Sequence, residues 1–266
     1  MSTLTKSGTI KPLPGPVHVD SVKAAETIIN ITNLQFAWRR DVAPVLDIAQ
    51  LNIVQSERVF IEGPSGSGKS TLLNLLAGVA TPDHGKLKVL GQNLGEMSGA
   101  ERDRFRADHV GFIFQLFNLI PYLSVVENVT LPCRFSRLRR QKAIQNGLNA
   151  AAEAMRLLTH LDMNDPDLLG RPVNELSVGQ QQRVAAARAL IGSPDLLIAD
   201  EPTSSLDANL RESFIQLLFD ECASRDTTLI FVSHDPSLEK LFGRTVRLTD
   251  INRAEKPSIH VLQWGK

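Results

Sequence analysis

Between Gly63 and Ser70 the chain reads Gly-Pro-Ser-Gly-Ser-Gly-Lys-Ser, a run that few local folds accommodate. Glycines at 63, 66 and 68 let the backbone curl until successive N–H groups point at a common centre. The apolar Val59-Phe60-Ile61 ahead of it reads as a buried strand, and Leu72, Leu73, Leu75, Leu76 and Val79 behind it recur at helical spacing. Strand, glycine loop and helix in that order make a cradle for a polyphosphate, because the helix turns its positive end toward the loop. Lys69 has the reach for the β and γ phosphates, and the Ser70 hydroxyl is placed to ligate Mg²⁺. The segment predicts that this chain binds a nucleoside triphosphate.

Two further segments bear on that prediction. Asp195-Leu196-Leu197-Ile198-Ala199 is a short apolar run that ends in Asp200-Glu201, the pattern of a central parallel strand buried on both faces. Ligands of such sheets sit beyond the carboxyl ends of the strands, where these two acids lie. Asp200 is expected in the Mg²⁺ shell, and Glu201, one residue further on, is expected to orient or deprotonate an attacking water. Leu176-Ser177-Val178-Gly179-Gln180 precedes a helix running through Arg183 to Leu190. Ser177 and Gln180 have the spacing of a capping box, which alone accounts for both; the same helix tip, with Gly179, also suits an anion. The two roles are compatible.

At 266 residues and 42% hydrophobic content, the chain buries a full core, most simply as one large α/β domain. Lys+Arg and Asp+Glu balance at 29 each, which argues against a nucleic-acid partner held by phosphate neutralisation. Cys133 and Cys222 are far apart and lack metal-ligand spacing, so they read as reduced thiols. No window offers about 18 uninterrupted apolar residues, so any membrane-spanning part is expected on another chain. The N-terminal segment has Lys6 but no apolar stretch after it, unlike a secretory signal.

Residues 1 to about 25, with Pro12, Pro14 and Pro16, read as a flexible tail ahead of a single domain over 26–266. Strands are expected around 27–36, 48–54, 58–62, 86–90, 195–200 and 228–232, with a turn at Gly91 and helices around 178–191 and 208–223. The segment from about 120 to 175 holds helical runs such as Ala143 to Leu158 and few strand signals, and reads as a helical subdomain inserted in the core. Alternating strands and helices predict a mainly parallel sheet covered by helices. The basic run Arg134, Arg137, Arg139, Arg140 and Lys142 reads either as a solvated face or as a contact for anionic lipid or a membrane partner.

Taken in order, Gly63–Ser70, Gln115, Leu176–Gln180, Leu196–Glu201, Ser204-Ser205-Leu206-Asp207 and His234 resemble the nucleotide-binding subunit of an ABC transporter, over about residues 27–250. The resemblance implies a P-loop ATPase with an antiparallel β subdomain at the N-terminus and a helical insertion. It implies ATP and Mg²⁺ as ligands, with Ser70, Gln115 and Asp200 around the metal and Glu201, His234 and Lys69 in catalysis. Gly63, Pro64, Ser65, Gly66, Ser67, Gly68, Lys69, Ser70 and Thr71 would surround the phosphates, and Trp38 (or Phe36) would stack on adenine. Ser177, Gly179, Gln180 and Asp207 would serve ATP held by a second copy of the chain, in a head-to-tail pair. Val178 stands where the family most often has glycine, and Ser205 where it often has alanine. Phe112–Pro121 and Val125–Pro132 are similar to the branch serving macrolide exporters, lipoprotein-release systems and the cell-division ATPase. That implies a separate integral-membrane permease, a place on the cytoplasmic face of the membrane, and export or extraction of a hydrophobic or lipid-like cargo. A regulatory ATPase signalling through a membrane partner would share every one of these residues. Asp235-Pro236 after the histidine reads as a helix start that fixes its approach.

Overall fold

The computed structural model describes residues 26–254 apart from 40, 147, 148, 205 and 207. The expected tail at 1–25, the residues after 254, and Ser205 and Asp207 lie outside the described residues. The strands are β1 (Thr27–Phe36), β2 (Leu46–Val54), β3 (Arg58–Glu62), β4 (His84–Val89), β5 (Gln92–Asn93), β6 (Val110–Ile113), β7 (Leu196–Asp200), β8 (Thr228–Val232) and β9 (Arg244–Arg247). The helices are α1 (Lys69–Leu76), α2 (Gly99–His109), α3 (Val125–Thr130), α4 (Pro132–Phe135), α5 (Arg137–Asn146), α6 (Ala150–His160), α7 (Pro166–Leu169), α8 (Val178–Leu190), α9 (Ala208–Ser224) and α10 (Leu248–Ile251).

The strands form two sheets. One is parallel, in the order β6-β7-β8-β3-β9; the other is antiparallel, in the order β2-β1-β4-β5. The fold is thus the expected α/β one, with a parallel core sheet and an N-terminal antiparallel sheet. The inner strands of the parallel sheet are buried on both faces, which is why the middles of β3, β7 and β8 are continuous apolar runs rather than alternating. Phe60, Leu197, Ala199, Leu229 and Phe231 face one core together with residues of α3, α6, α8 and α9. Their neighbours Val59, Ile61, Leu196, Ile198, Ile230 and Val232 face a second core, shared with α1 and the inner side of β1, β2 and β4. The antiparallel sheet covers one face only, and from Ile29 β1 alternates accordingly until its register with β4 shifts between Thr32 and Gln35. At that shift Asn33 has φ +48° and lies against Gly85, φ +82°, where a β-carbon would fall 2.0 Å from the Asn33 carbonyl oxygen. Only glycine fits there.

Local chemistry sets the helix limits. α1 stops at Leu76 because Gly78 adopts φ +68° and the amides of Ala77, Gly78 and Val79 turn back onto Leu73, Leu75 and Asn74. Val79, expected on the helix face, therefore lies beyond the helix and is exposed. α2, α3 and α8 each open with a reciprocal serine capping box: Ser98 with Glu101, Ser124 with Glu127, and Ser177 with Gln180. The helical run expected from Ala143 to Leu158 is two helices, α5 and α6, the second started by Asn149 accepting from the Ala152 amide. After Asp235 the chain forms a 3-10 helix, Pro236–Leu241, with the Asp235 carboxylate accepting from the Ser237 amide.

The basic run is not one face. Arg139 is 3% exposed and donates to the carbonyls of Ile191 and Ala189 at 2.8 and 2.6 Å. Burial lowers its pKa to about 10, still far above neutrality, so it stays charged. Lys142 also turns inward, to the Ser193 carbonyl and the Asp195 carboxylate. Both cations tie α5 to the core, Arg139 fully buried and Lys142 half-buried. α6 is joined to α9 by ions as well: Arg156 bonds Glu221 at 2.7 and 3.0 Å and Glu153 at 2.9 Å, and His160 Nδ1 lies 2.8 Å from Glu221.

Candidate functional site

Because the core strands are parallel, their carboxyl ends share one edge, and the segments leaving β3, β6, β7 and β8 meet there. β3 delivers the glycine loop, β6 delivers Gln115, β7 ends in Asp200 and Glu201, and β8 leads to His234. A cavity of about 590 Å³ opens on this edge, lined by Ser65, Gly66, Gly68, Lys69, Ser70, Thr71, Gln115, Asp200, Glu201, His234 and Val45.

The loop closes around its lysine. Lys69 Nζ donates to the carbonyls of Gly63 and Pro64 at 2.6 and 3.1 Å, which holds the ammonium inside the curl. Gly68, φ +98°, caps α1; a β-carbon there would lie 2.8 Å from a Leu46 methyl, so a side chain would have to displace Leu46 and hold a strained left-handed backbone. Asn252 stitches the loop to the antiparallel sheet by donating to the Ser67 and Val45 carbonyls at 3.3 and 3.0 Å. Its side-chain Oδ1 accepts from the Asp47 amide at 2.8 Å.

Ser70 Oγ lies 3.5 Å from Asp200 Oδ2, and Gln115 lines the same cavity. Burial raises the pKa of Asp200, as does the adjacent charge of Glu201, with Ser70 and Lys69 pulling it partly back. A carboxylate disfavoured by burial and by a like charge, beside a hydroxyl and an amide, is a hard oxygen donor set that suits a small divalent cation. Glu201 has φ +46°, a left-handed backbone rare outside glycine, and its amide donates to the Val232 carbonyl at 2.9 Å. This turn aims the carboxylate at His234, whose Nδ1 lies 2.9 Å from Glu201 Oε2. Strained backbone of this kind concentrates at functional sites.

Trp38 and Phe36 pack edge to face with centroids 5.0 Å apart, but they are not equivalent. Phe36 is core, whereas Trp38 is 57% exposed and its indole Nε1 donates to Thr71 Oγ1 at 3.3 Å, beside the cavity. Ser177, Gly179 and Gln180 are not brought to this cavity; they sit at the tip of α8. Ser177 Oγ accepts from the Gln180 amide at 3.3 Å, and Gln180 Oε1 accepts from the Ser177 amide at 2.9 Å, so the capping role is fully used. Val178 is exposed at the same tip. Val45 and Asn252 were not among the residues expected at the site. Val45 carries no chemical signal, and Asn252 is 185 residues from the loop it braces. Among the described residues no helix is long and apolar enough to cross a membrane.

Residues 46–204 match the family model described as ABC transporter. The chain is 39% identical over 209 residues to the lipoprotein-releasing system ATP-binding protein LolD of Bacteroides fragilis, covering 78% of this chain and 92% of that one. It is 41% identical over 208 residues to YbbA of Escherichia coli, an uncharacterized ABC transporter ATP-binding protein, covering 77% and 86%. Among solved structures it is similar to the dimeric post-hydrolysis state of the ATP-binding cassette MJ0796, of Methanocaldococcus jannaschii, bound to ADP and Pi. That likeness has a TM-score of 0.71 at 33% identity, over 86% of this chain and 98% of the other.

Proposed function

This chain belongs to the ABC transporter family as an ATP-binding subunit, and we propose that it is the motor that drives a separate permease to extract or export a lipid-anchored or otherwise hydrophobic cargo. The observation that carries the motor role is the meeting of Lys69, Ser70, Gln115, Asp200, Glu201 and His234 around one cavity at the carboxyl edge of the parallel sheet. The cargo class is supported by the likeness to the lipoprotein-releasing protein. The same family membership supports a place on the cytoplasmic face of the membrane, where the permease would hold it.

Hydrolysis of ATP by water asks for alignment and charge stabilisation rather than covalent help. Lys69 and the loop amides would bind the β and γ phosphates, with Trp38 stacked on adenine. Ser70, Asp200 and Gln115 would hold a magnesium ion, which when bound supplies charge neutralisation on the phosphates. Glu201 would take or orient the proton of the attacking water. His234, hydrogen bonded to Glu201, would reach the γ-phosphate and register its loss.

Ser177 and Gly179 lie away from the chain's own cavity, as a role on a partner's nucleotide requires. Two copies would therefore clamp two ATP molecules head to tail, in keeping with the dimeric cassettes this chain resembles. Asp207 is assigned to that interface by the resemblance alone.

Affinity purification from solubilised membranes tests the proposal. An integral-membrane protein should co-purify, and its reconstitution should raise ATP turnover severalfold and release a lipid-anchored protein from vesicles. Equal turnover with and without the co-purified protein would reject the motor role. Stimulation without release would reject the cargo.

A further inference from the structure

α8 is tied to the rest of the molecule at its carboxyl end. Gly111 of β6 packs so closely there that a β-carbon would lie 2.3 Å from the Ala189 carbonyl oxygen. Arg139 of α5 covers the same turn by donating to the Ala189 and Ile191 carbonyls. The third tie is Arg188, on the last turn of α8. Its Nη1 donates to the Asn118 carbonyl at 2.7 Å and its Nη2 to the Phe117 carbonyl at 2.5 Å. Those acceptors belong to consecutive residues in left-handed conformation, φ +60° and +49°. They follow Gln115 by two and three residues.

A left-handed pair of non-glycine residues persists only where the surroundings hold it. The peptide amides within the turn take up the Phe114 and Leu116 carbonyls; the two outward carbonyls are taken up by one planar guanidinium. Arginine presents two parallel donors in a fixed fork, which a flexible ammonium does not. Burial of Arg188 lowers its pKa, consistent with a group placed for its contacts and not for hydration.

We propose that Arg188 is a positioning residue for ATP hydrolysis: its fork on Phe117 and Asn118 sets where Gln115 enters the nucleotide cavity and links that segment to the helix bearing Ser177 and Gly179. α8 has 13 residues and so spans about 20 Å at about 1.5 Å per residue. A tilt of about 5° at its base moves the tip by about 1.7 Å on that length, enough to make or break a phosphate contact. In a head-to-tail pair, Gln115 would sense one nucleotide while the tip of the same α8 touches the other, so Arg188 joins the two sites. This rests on the dimeric ATP sandwich proposed above.

The test compares Arg188→Met and Arg188→Lys with the wild type, in steady-state hydrolysis of Mg·ATP by the full chain. The expected result is a loss in kcat of tenfold or more, KM within about twofold, and a Hill coefficient that falls toward 1. Adding Gln115→Ala to Arg188→Met should cost little beyond the larger single loss, because both act through one segment. Multiplying losses, or a kcat within twofold of wild type, would overturn the proposal. Thermal melts identify a variant that fails to fold, and Arg188→Lys, which keeps the charge and stem, carries the test if Arg188→Met does so. If instead the sandwich itself is wrong, the wild-type chain will show a Hill coefficient of 1 and no ATP-dependent dimer, whatever stands at 188.

Discussion

Replacing Glu201 by glutamine separates binding from chemistry. The substitution keeps the size of the side chain, the left-handed backbone at φ +46° and the amide contact to Val232. The glutamine can still bond His234, which is largely exposed, so little stability rides on that pair. Two electrostatic effects then oppose each other. Removing the carboxylate takes away the charge that helps raise the pKa of Asp200, so Asp200 ionises more readily and cation-linked ATP binding should hold or tighten. Loss of the base that handles the water proton removes about 10²- to 10⁴-fold in rate, or about 3–5 kcal/mol of barrier. Phosphate release at saturating Mg·ATP measures turnover, and light scattering after gel filtration measures the dimer. The expected protein is a stable ATP-bound dimer with turnover down at least a hundredfold. Turnover within threefold of wild type would refute the assignment of Glu201 as base. A monomer at saturating ATP would refute the sandwich.

Gly85→Ala should cost more than about 3 kcal/mol, since it combines a left-handed φ with a 2.0 Å clash on the Asn33 carbonyl. The melting temperature should then fall by about 6 °C or more, and a fall under 2 °C would show that the β1–β4 shift is pliable. Glu221→Gln should destabilise by about 2–4 kcal/mol at neutral pH, because Arg156 and His160 lose a buried anionic partner. Burial alone would raise the Glu221 pKa, but the bonds from Arg156 and His160 outweigh it and hold it below the usual carboxylate range. That contribution is therefore present above the ordinary carboxylate pKa and fades as pH falls through the depressed folded value. Urea unfolding at pH 7 and near pH 3 measures both limbs, and a difference that persists undiminished in acid would contradict the ionic account.

Much of this architecture is legible in the residues because burial leaves a simple trace. β3, β7 and β8 each hold an unbroken run of buried apolar residues, as strands covered on both faces must, and each leads into a polar residue of the site. β6 and β9 leave weaker traces. The first contains Gly111, present for its closeness to α8, and the second is an edge strand reading Arg-Thr-Val-Arg with one buried position. α5 was illegible as a separate helix because seven of its ten residues are polar and two of them, Arg139 and Lys142, point inward to carbonyls. The chemistry at the loop follows from spacing, since Lys69 and Ser70 adjoin their glycines. Gln115 has no such neighbours and came only with the resemblance. Asn252 and Arg188 act on backbone atoms 185 and 70 residues away, and backbone carbonyls carry no side-chain signature.

The capping boxes differ in one respect. At α2 and α3 the third helical residue is a glutamate, held below its usual pKa by hydrogen bonds from its serine, and each helix start is electrically masked. At α8 the same geometry is made with an uncharged amide. A carboxylate there would add roughly 0.3–1 kcal/mol of favourable charge–dipole energy, so the fold forgoes that stability at this one start. What it keeps is a positive pole that no acidic side chain of the helix's own first turn neutralises, open to a polyanion arriving at that threshold.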